Sequence, residues 1–208
     1  MKLPGKTVER LSEYRRTLFV CLSEGKNFIY SHDLAALLHI KAVQVRRDLM
    51  LIGYSSVLRK GYDVSELINT ISEIIDPEET VNVAVIGIGN LGRAVAGYFK
   101  GKRSKLNLVA SFDNDSQKVN KVISGVKCYP YSEAEKLINE MGIRIAILTV
   151  PPEFAKEVTE DIVRFGIKGI LNFTTISLNV PTDVHLEEYD MITSIEKVVY
   201  FVKKNRKI

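Results

Sequence analysis

Apolar residues recur along this chain at two different periods, and the change of period divides it. Over the first 75 residues the spacing is helical. Val8, Leu11, Leu18 and Leu22 predict an amphipathic helix over 7–23, with Glu9, Arg10, Glu13 and Arg15 between them. Ser31 suits the N-cap of a short helix over 33–38, whose inward face is Leu34, Ala35 and Leu38. After a break at His39-Ile40, the positions Ala42, Val45, Leu49 and Ile52 predict a third helix over 42–52, leaving Lys41, Gln44, Arg47 and Asp48 on other faces. Residues 53–62, with Ser55, Ser56, Arg59, Lys60 and Gly61, fit a short hairpin or wing. Asp63 and Glu66 then open a fourth helix in the manner of a capping box, with Leu67, Ile68, Ile71, Ile74 and Ile75 as its apolar stripe. Asp76-Pro77-Glu78-Glu79 ends that helix and marks a domain boundary.

Beyond the boundary, short continuous apolar runs alternate with helical segments. Strands are predicted over 83–86, 106–112, 143–150 and 169–172, and helices over 91–99, 132–141 and 153–165. This alternation predicts an α/β fold, a Rossmann-like doubly wound parallel sheet with its ligand at the carboxyl ends of the strands. The last segment, 192–202, sets Ile192, Ile195, Val198, Val199 and Val202 on one face, either to cover its own sheet or to be lent to a second subunit. The expected domains are 1–77, 78–190 and a terminal helix in 191–208.

The first strand of the second domain runs into Gly87-Ile88-Gly89-Asn90-Leu91-Gly92, a Gly-x-Gly-x-x-Gly between strand and helix. The first glycine makes the tight turn, the second lets backbone approach a pyrophosphate, and the third lets helix pack on strand. Free N–H groups at the helix start then face the anion. Asp113 ends the next strand with no arginine beside it, which suits an adenosine ribose and repels a 2′-phosphate, so NAD(H) is expected over NADP(H). Thr149-Val150-Pro151 and Asn172-Phe173 lie at the same sheet edge, suited to flank a nicotinamide.

Charge adds a second partner. Of 208 residues 46% are hydrophobic and 26% charged, ordinary for a globular protein, but residues 1–62 hold 11 Lys/Arg against 5 Asp/Glu while the remainder holds 18 against 20. A basic front end suggests a polyanion. Two short helices around a tight break form the helix-turn-helix arrangement, in which Gln44 and Arg47 can read base edges, Lys41 and Arg46 can hold phosphates, and Arg59 and Lys60 of a wing can touch the backbone or minor groove. Pattern alone leaves open an ordinary helical mini-domain with solvated charges. Cys21 and Cys128 form no disulfide framework, no apolar run approaches a membrane span, and no apolar signal core follows Met1, so the expected address is cytoplasmic. Cys128, with no paired cysteine and no metal-ligand neighbours, reads as structural or incidental. The three histidines, His32, His39 and His185, supply no evident general acid or base for hydride chemistry, which points to sensing rather than catalysis.

Taken in order, Gln44-Val45-Arg46-Arg47-Asp48-Leu49, Gly61-Tyr62, the glycine motif with Arg93-Ala94, Thr149-Val150-Pro151 and the run from Gly166 to Phe173 resemble, over nearly the whole length, the Rex family of bacterial redox-sensing repressors. The resemblance implies a homodimer with a winged helix for inverted-repeat operator DNA, a Rossmann domain for NAD(H) and a C-terminal helix exchanged between subunits. It also implies that NADH releases the operator while NAD+ permits binding, and that Arg16, Tyr98 and Asp190 form a network near the nicotinamide and domain interface. One departure stands out: the family's wing is usually glycine-rich, whereas Tyr54-Ser55-Ser56-Val57-Leu58-Arg59-Lys60 is bulkier. Two readings from other classes stay open, a small NAD-dependent oxidoreductase with a helical appendage and a binding module for another adenine nucleotide such as coenzyme A.

Overall fold

A computed structural model of the chain describes residues 3–55, 60–99 and 105–205. The chain divides into two units, 1–78 and 79–208.

The first unit contains α1 (Gly5–Ser23), β1 (Phe28–Ile29), α2 (Ser31–Leu37), α3 (Ala42–Leu51), β2 (Tyr62–Asp63) and α4 (Val64–Ile75). Leu11, Tyr14 and Leu18 of α1 pack with Leu34 and Ala35 of α2, Val45 and Leu49 of α3 and Leu67, Ile68 and Ile71 of α4 in one core. The break between α2 and α3 is a Schellman turn. His39 takes a positive φ of 54°, while His39 N–H donates to the Ala36 carbonyl and Ile40 N–H to that of Ala35. Ser31 does not cap α2 as expected. The helix begins at Ser31, and the Asp33 carboxylate accepts from Tyr30 N–H at 3.3 Å. Asp63 does cap α4, accepting from Glu66 N–H at 2.9 Å, but Glu66 turns its carboxylate to the Tyr54 hydroxyl instead of closing a capping box. The expected wing is described only at its ends, where Ile29 pairs with Tyr62 and Phe28 with Asp63. Residues 56–59, Arg59 among them, lie outside the described residues.

Asp48 is the main correction in this unit. Helical spacing put it on an outer face, yet it is 2% exposed. Arg10 Nε and Nη2 donate to its two carboxylate oxygens at 2.6 and 2.7 Å, the Tyr14 hydroxyl donates at 2.7 Å, and Gln44 Nε2 at 3.0 Å. A charge can be buried here because all its lone pairs are met. Arg15, also buried, ties α1 to the end of α4 by donating to Asp76 at 2.7 Å and Ser72 at 3.2 Å. Helix α1 is thus cross-linked by polar groups to both α3 and α4.

The second unit contains β3 (Val81–Ile86), α5 (Asn90–Phe99), β4 (Leu106–Asp113), β5 (Val122–Ile123), β6 (Val126–Pro130), α6 (Ala134–Glu140), β7 (Ile143–Leu148), α7 (Ala155–Arg164), β8 (Gly169–Asn172), β9 (His185–Glu188) and α8 (Met191–Asn205). The sheet order is β5-β6-β4-β3-β7-β8-β9, parallel except for the β5–β6 hairpin. Without β5 this is the doubly wound order, with its crevice between β3 and β7. Alternate strand residues enter opposite layers: Ala84, Ile86, Ala146 and Leu148 pack with Ala134, Ile138, Ala155 and Ile162 of α6 and α7, while Val83, Val85 and Ile147 pack with Ala96 of α5.

Three strands go beyond the sequence expectation. β5 and β6 are short and turn through Ser124 and Gly125, both at positive φ, and β9 is an edge strand in which only Leu186 is half-buried. His185 begins that edge strand. Among the described residues, helix α8 buries no side chain over 191–204, all of which are exposed. No described helix is long and apolar enough to cross a membrane.

Burial pushes the Asp48 carboxyl up, but the Arg10, Tyr14 and Gln44 hydrogen bonds and the Arg10 charge hold it below its ordinary value. A carboxylate with a lowered native pKa stabilises above its unfolded value and loses that contribution as pH falls through the native one. Asp48→Ala is therefore expected to cost the first unit about 3 kcal/mol at neutral pH, with the difference from the parent shrinking below about pH 4. Urea titration at both pH values, with amide exchange read on α3, checks this; equal α3 protection at neutral pH would refute it.

Candidate functional site

The crevice between β3 and β7 opens as a cleft of about 730 Å³, within the range of ligand sites. Its floor is the glycine turn. Gly87 has φ +89°, and a Cβ there would meet Val150 Cγ1 at 2.9 Å. At Gly92 a Cβ would lie 2.2 Å from the Gly87 carbonyl oxygen, which only glycine avoids. Thr149 locks the same turn: its hydroxyl donates to the Gly87 carbonyl at 2.6 Å and its N–H to that of Ile86 at 2.9 Å. Gly89 differs from both, because a Cβ there would meet nothing within 4 Å and would occupy open space. The first N–H groups of α5 begin beside that space, so the residues present fit a pyrophosphate over Gly89.

Asp113, where β4 ends, fixes the far side of the turn. Its carboxylate accepts from Ile88 N–H and Asp115 N–H, each at 2.9 Å, and from Lys118 Nζ at 3.2 and 3.4 Å. Lys118 is a residue that sequence reasoning missed. The sequence places no arginine beside Asp113, but an Asx turn, in which Asp115 accepts from Gln117 N–H at 2.9 Å, folds Lys118 back onto Asp113. The readable signal was the Asp-x-x-Lys spacing of 115–118. Farther along the cleft wall, Tyr131 donates to Asp161 at 3.4 Å, and burial followed by the Asp161 charge pushes its hydroxyl up.

Of the other residues expected at the cofactor, Leu91, Asn90, Val150 and Pro151 line the cleft with Thr149, and Ile88 is buried beneath it. Asn172 and Phe173 stand at the end of β8 and do not line it. The Asn172 amide is consumed locally, donating to the Ile176 carbonyl at 2.9 Å and accepting from Thr174 N–H and Oγ1, so it shapes the loop 172–176. Phe173 leans on Tyr189 with ring centroids 5.2 Å apart. Cys128 is buried in the α5-side core, and burial pushes its thiol up, as befits a structural cysteine. Arg16 is exposed on α1 in the first unit, and Tyr98 is exposed on α5 in the second. Asp190 caps α8: it accepts from Ile192 N–H at 2.8 Å and Thr193 Oγ1 at 2.6 Å, and the Thr193 hydrogen bond leads in holding its carboxyl down.

Lys41, just before α3, and Arg46 and Arg47 on it are exposed, whereas Gln44 is half-buried and its amide nitrogen is committed to Asp48. Arg46 also braces the start of α2, donating to Ser31 Oγ at 3.1 Å. Lys60 lies 5.8 Å from the centroid of Phe28.

Comparisons with known proteins agree with both halves. Residues 78–176 match the family described as "CoA binding domain" and residues 2–49 the one described as "Putative DNA-binding protein N-terminus". The chain is 33% identical to the redox-sensing transcriptional repressor Rex of Lactobacillus acidophilus over 99% of this chain and 98% of that one. It is 36% identical to the Rex of Leuconostoc citreum over 97% of this chain and 93% of that one. Among solved structures, RSP in complex with β-NAD+ and operator DNA superposes with TM-score 0.90 at 32% identity, over 99% of this chain and 95% of that chain. RSP in complex with β-NADH gives 0.87 over 99% and 97%. With such likeness along its whole length, the chain belongs to the Rex family of redox-sensing transcriptional repressors.

Proposed function

We propose that this protein is a dimeric repressor that holds an inverted-repeat operator while its second unit is empty or carries NAD+, and lets it go when NADH binds. The observation that carries the reading is the pairing, in one chain, of a glycine turn open only at Gly89 with a basic, exposed α3. RSP has been captured with β-NAD+ and operator DNA together, which supports the compatibility of those two ligands here. Residues 1–77 form the winged helix-turn-helix domain, 78–190 the NAD(H) domain and 191–208 the dimerisation helix. The exposed apolar face of α8, Ile192, Ile195, Val198, Val199 and Val202, supports its exchange into a partner subunit.

The bound cofactor supplies a single difference, a ring that is planar and cationic when oxidised and neutral when reduced. The chain's own residues turn that difference into a change of state. Arg16 carries a positive charge on α1, Tyr98 a hydroxyl at the end of α5, and Asp190 a carboxylate at the start of α8; these three groups are assigned to the coupling of cofactor to DNA. A ligand shifts such an equilibrium only by its differential affinity for the two states. No proton or hydride needs to move, and the protein consumes no substrate.

Arg47, exposed on α3, is assigned to a base edge, and Arg46 and Lys41 to phosphates, with Gln44 and Lys60 assisting. Arg47→Ala is expected to weaken operator binding by roughly 1–3 kcal/mol and relax specificity. Arg46→Ala is expected to weaken all sequences alike and flatten the salt dependence. Gel-shift titrations with operator and scrambled duplexes separate the two, and parental affinity and specificity in Arg47→Ala would remove α3 as the reader.

The coupling itself is tested by fluorescence titration of NADH with and without operator. By reciprocity, DNA must weaken NADH binding by the factor with which NADH weakens DNA binding, typically about 1–3 kcal/mol. An NADH affinity indifferent to operator would overturn the sensor.

A further inference from the structure

We propose that Lys118 is the residue that decides how the cleft treats a phosphate on the adenosine ribose, and that Asp113 excludes NADPH chiefly by holding this lysine rather than by its own charge. The proposal rests on reading the cleft as an NAD(H) site.

The carboxylate of Asp113 is already heavily engaged. Ile88 N–H and Asp115 N–H each donate to one of its oxygens, and Lys118 Nζ lies within 3.4 Å of both. A carboxylate has about four lone-pair sites, so a ribose diol cannot add its two hydroxyls without displacing a donor. The two N–H groups are fixed by the backbone of the glycine turn and of the turn after β4. Lys118 sits on a flexible four-carbon stem and is the donor that yields. Released from Asp113, its ammonium stays beside Asp115, 3.4 Å away in the present arrangement, and still borders the cleft. Burial lowers the affinity of Lys118 for its proton, but Asp113 and Asp115 outweigh this and hold its pKa above the ordinary lysine value. It is therefore a full positive charge throughout the working range.

In the parent, a 2′-phosphate entering this corner meets one ammonium already shared by two carboxylates. Without Asp113 the balance reverses. Three donors that had converged on one carboxylate, the Ile88 and Asp115 N–H groups and the Lys118 ammonium, are left facing the place it occupied. Two backbone N–H groups and a cation form an anion-binding cradle. On this view Asp113→Ala does more than soften a preference: it converts the corner from a ribose site into a phosphate site.

Calorimetric titration of the full-length parent, Asp113→Ala, Lys118→Ala and the double variant with NADH and with NADPH tests this. The parent is expected to favour NADH. In Asp113→Ala the ratio of NADPH to NADH affinity should rise by about tenfold or more, the worth of one charge-assisted hydrogen bond. Lys118→Ala, a change in a surface turn, should lower that ratio below the parent's, and the double variant should lose the gain made by Asp113→Ala. A ratio in Asp113→Ala within twofold of the parent's would overturn the proposal, as would a double variant that keeps the gain. Should Asp113→Ala fail to fold, an unchanged ratio in Lys118→Ala is sufficient to refute it. Failure of the parent to bind either dinucleotide would instead overturn the NAD(H) reading.

Discussion

The second unit depends on how closely α5 approaches the end of β3. Gly92 lies so near the Gly87 carbonyl that a Cβ would stand 2.2 Å from it, and this approach brings the first turn of the helix over the crevice. The same carbonyl accepts the Thr149 hydroxyl from the end of β7, and the turn's Ile88 N–H is held by Asp113 from the end of β4. Three parallel strands are thereby tied at one point. The binding floor is cross-linked by the chain's own hydrogen bonds, which limits the ordering cost of binding.

In the first unit, buried polar groups do comparable work. Asp48 binds α3 to α1 through Arg10 and Tyr14, and Arg15 binds α1 to the end of α4 through Asp76 and Ser72. Apolar contacts alone would permit neighbouring packings of short helices, whereas a buried carboxylate with four donors is satisfied in only one. Helix α3 is thus held by its inner face while Arg46 and Arg47, and Lys41 just before it, are exposed. Gln44 has a divided position, its amide nitrogen bound inward to Asp48 at 3.0 Å.

Asp190 joins the end of the sheet to α8. By capping the helix through Ile192 N–H and Thr193 Oγ1 it sets where α8 begins, and the same carboxylate is the acidic member of the proposed switch. A change in its partners would bear on the start of the helix. A cap contributes on the order of 1 kcal/mol, comparable with a typical allosteric coupling.

Local periodicity and turn chemistry determined much of this protein by themselves. The helices of the first unit, the alternation of strand and helix, the glycine turn and the acid at Asp113 were all legible, because each depends on residues a few positions apart. What remained hidden depended on long-range contacts. Asp48 reads as a surface charge until Arg10, 38 residues away in sequence, supplies its partner. β9 is polar enough to pass for a loop, since an edge strand needs neighbours on one side only. Lys118 is an ordinary surface lysine until an Asx turn folds it onto Asp113, and Asn172 is a candidate ligand contact until its amide is seen to close its own loop. Sequence patterns record which face of an element is apolar; only the tertiary structure decided which polar groups meet, because their partners lie on elements brought together by folding.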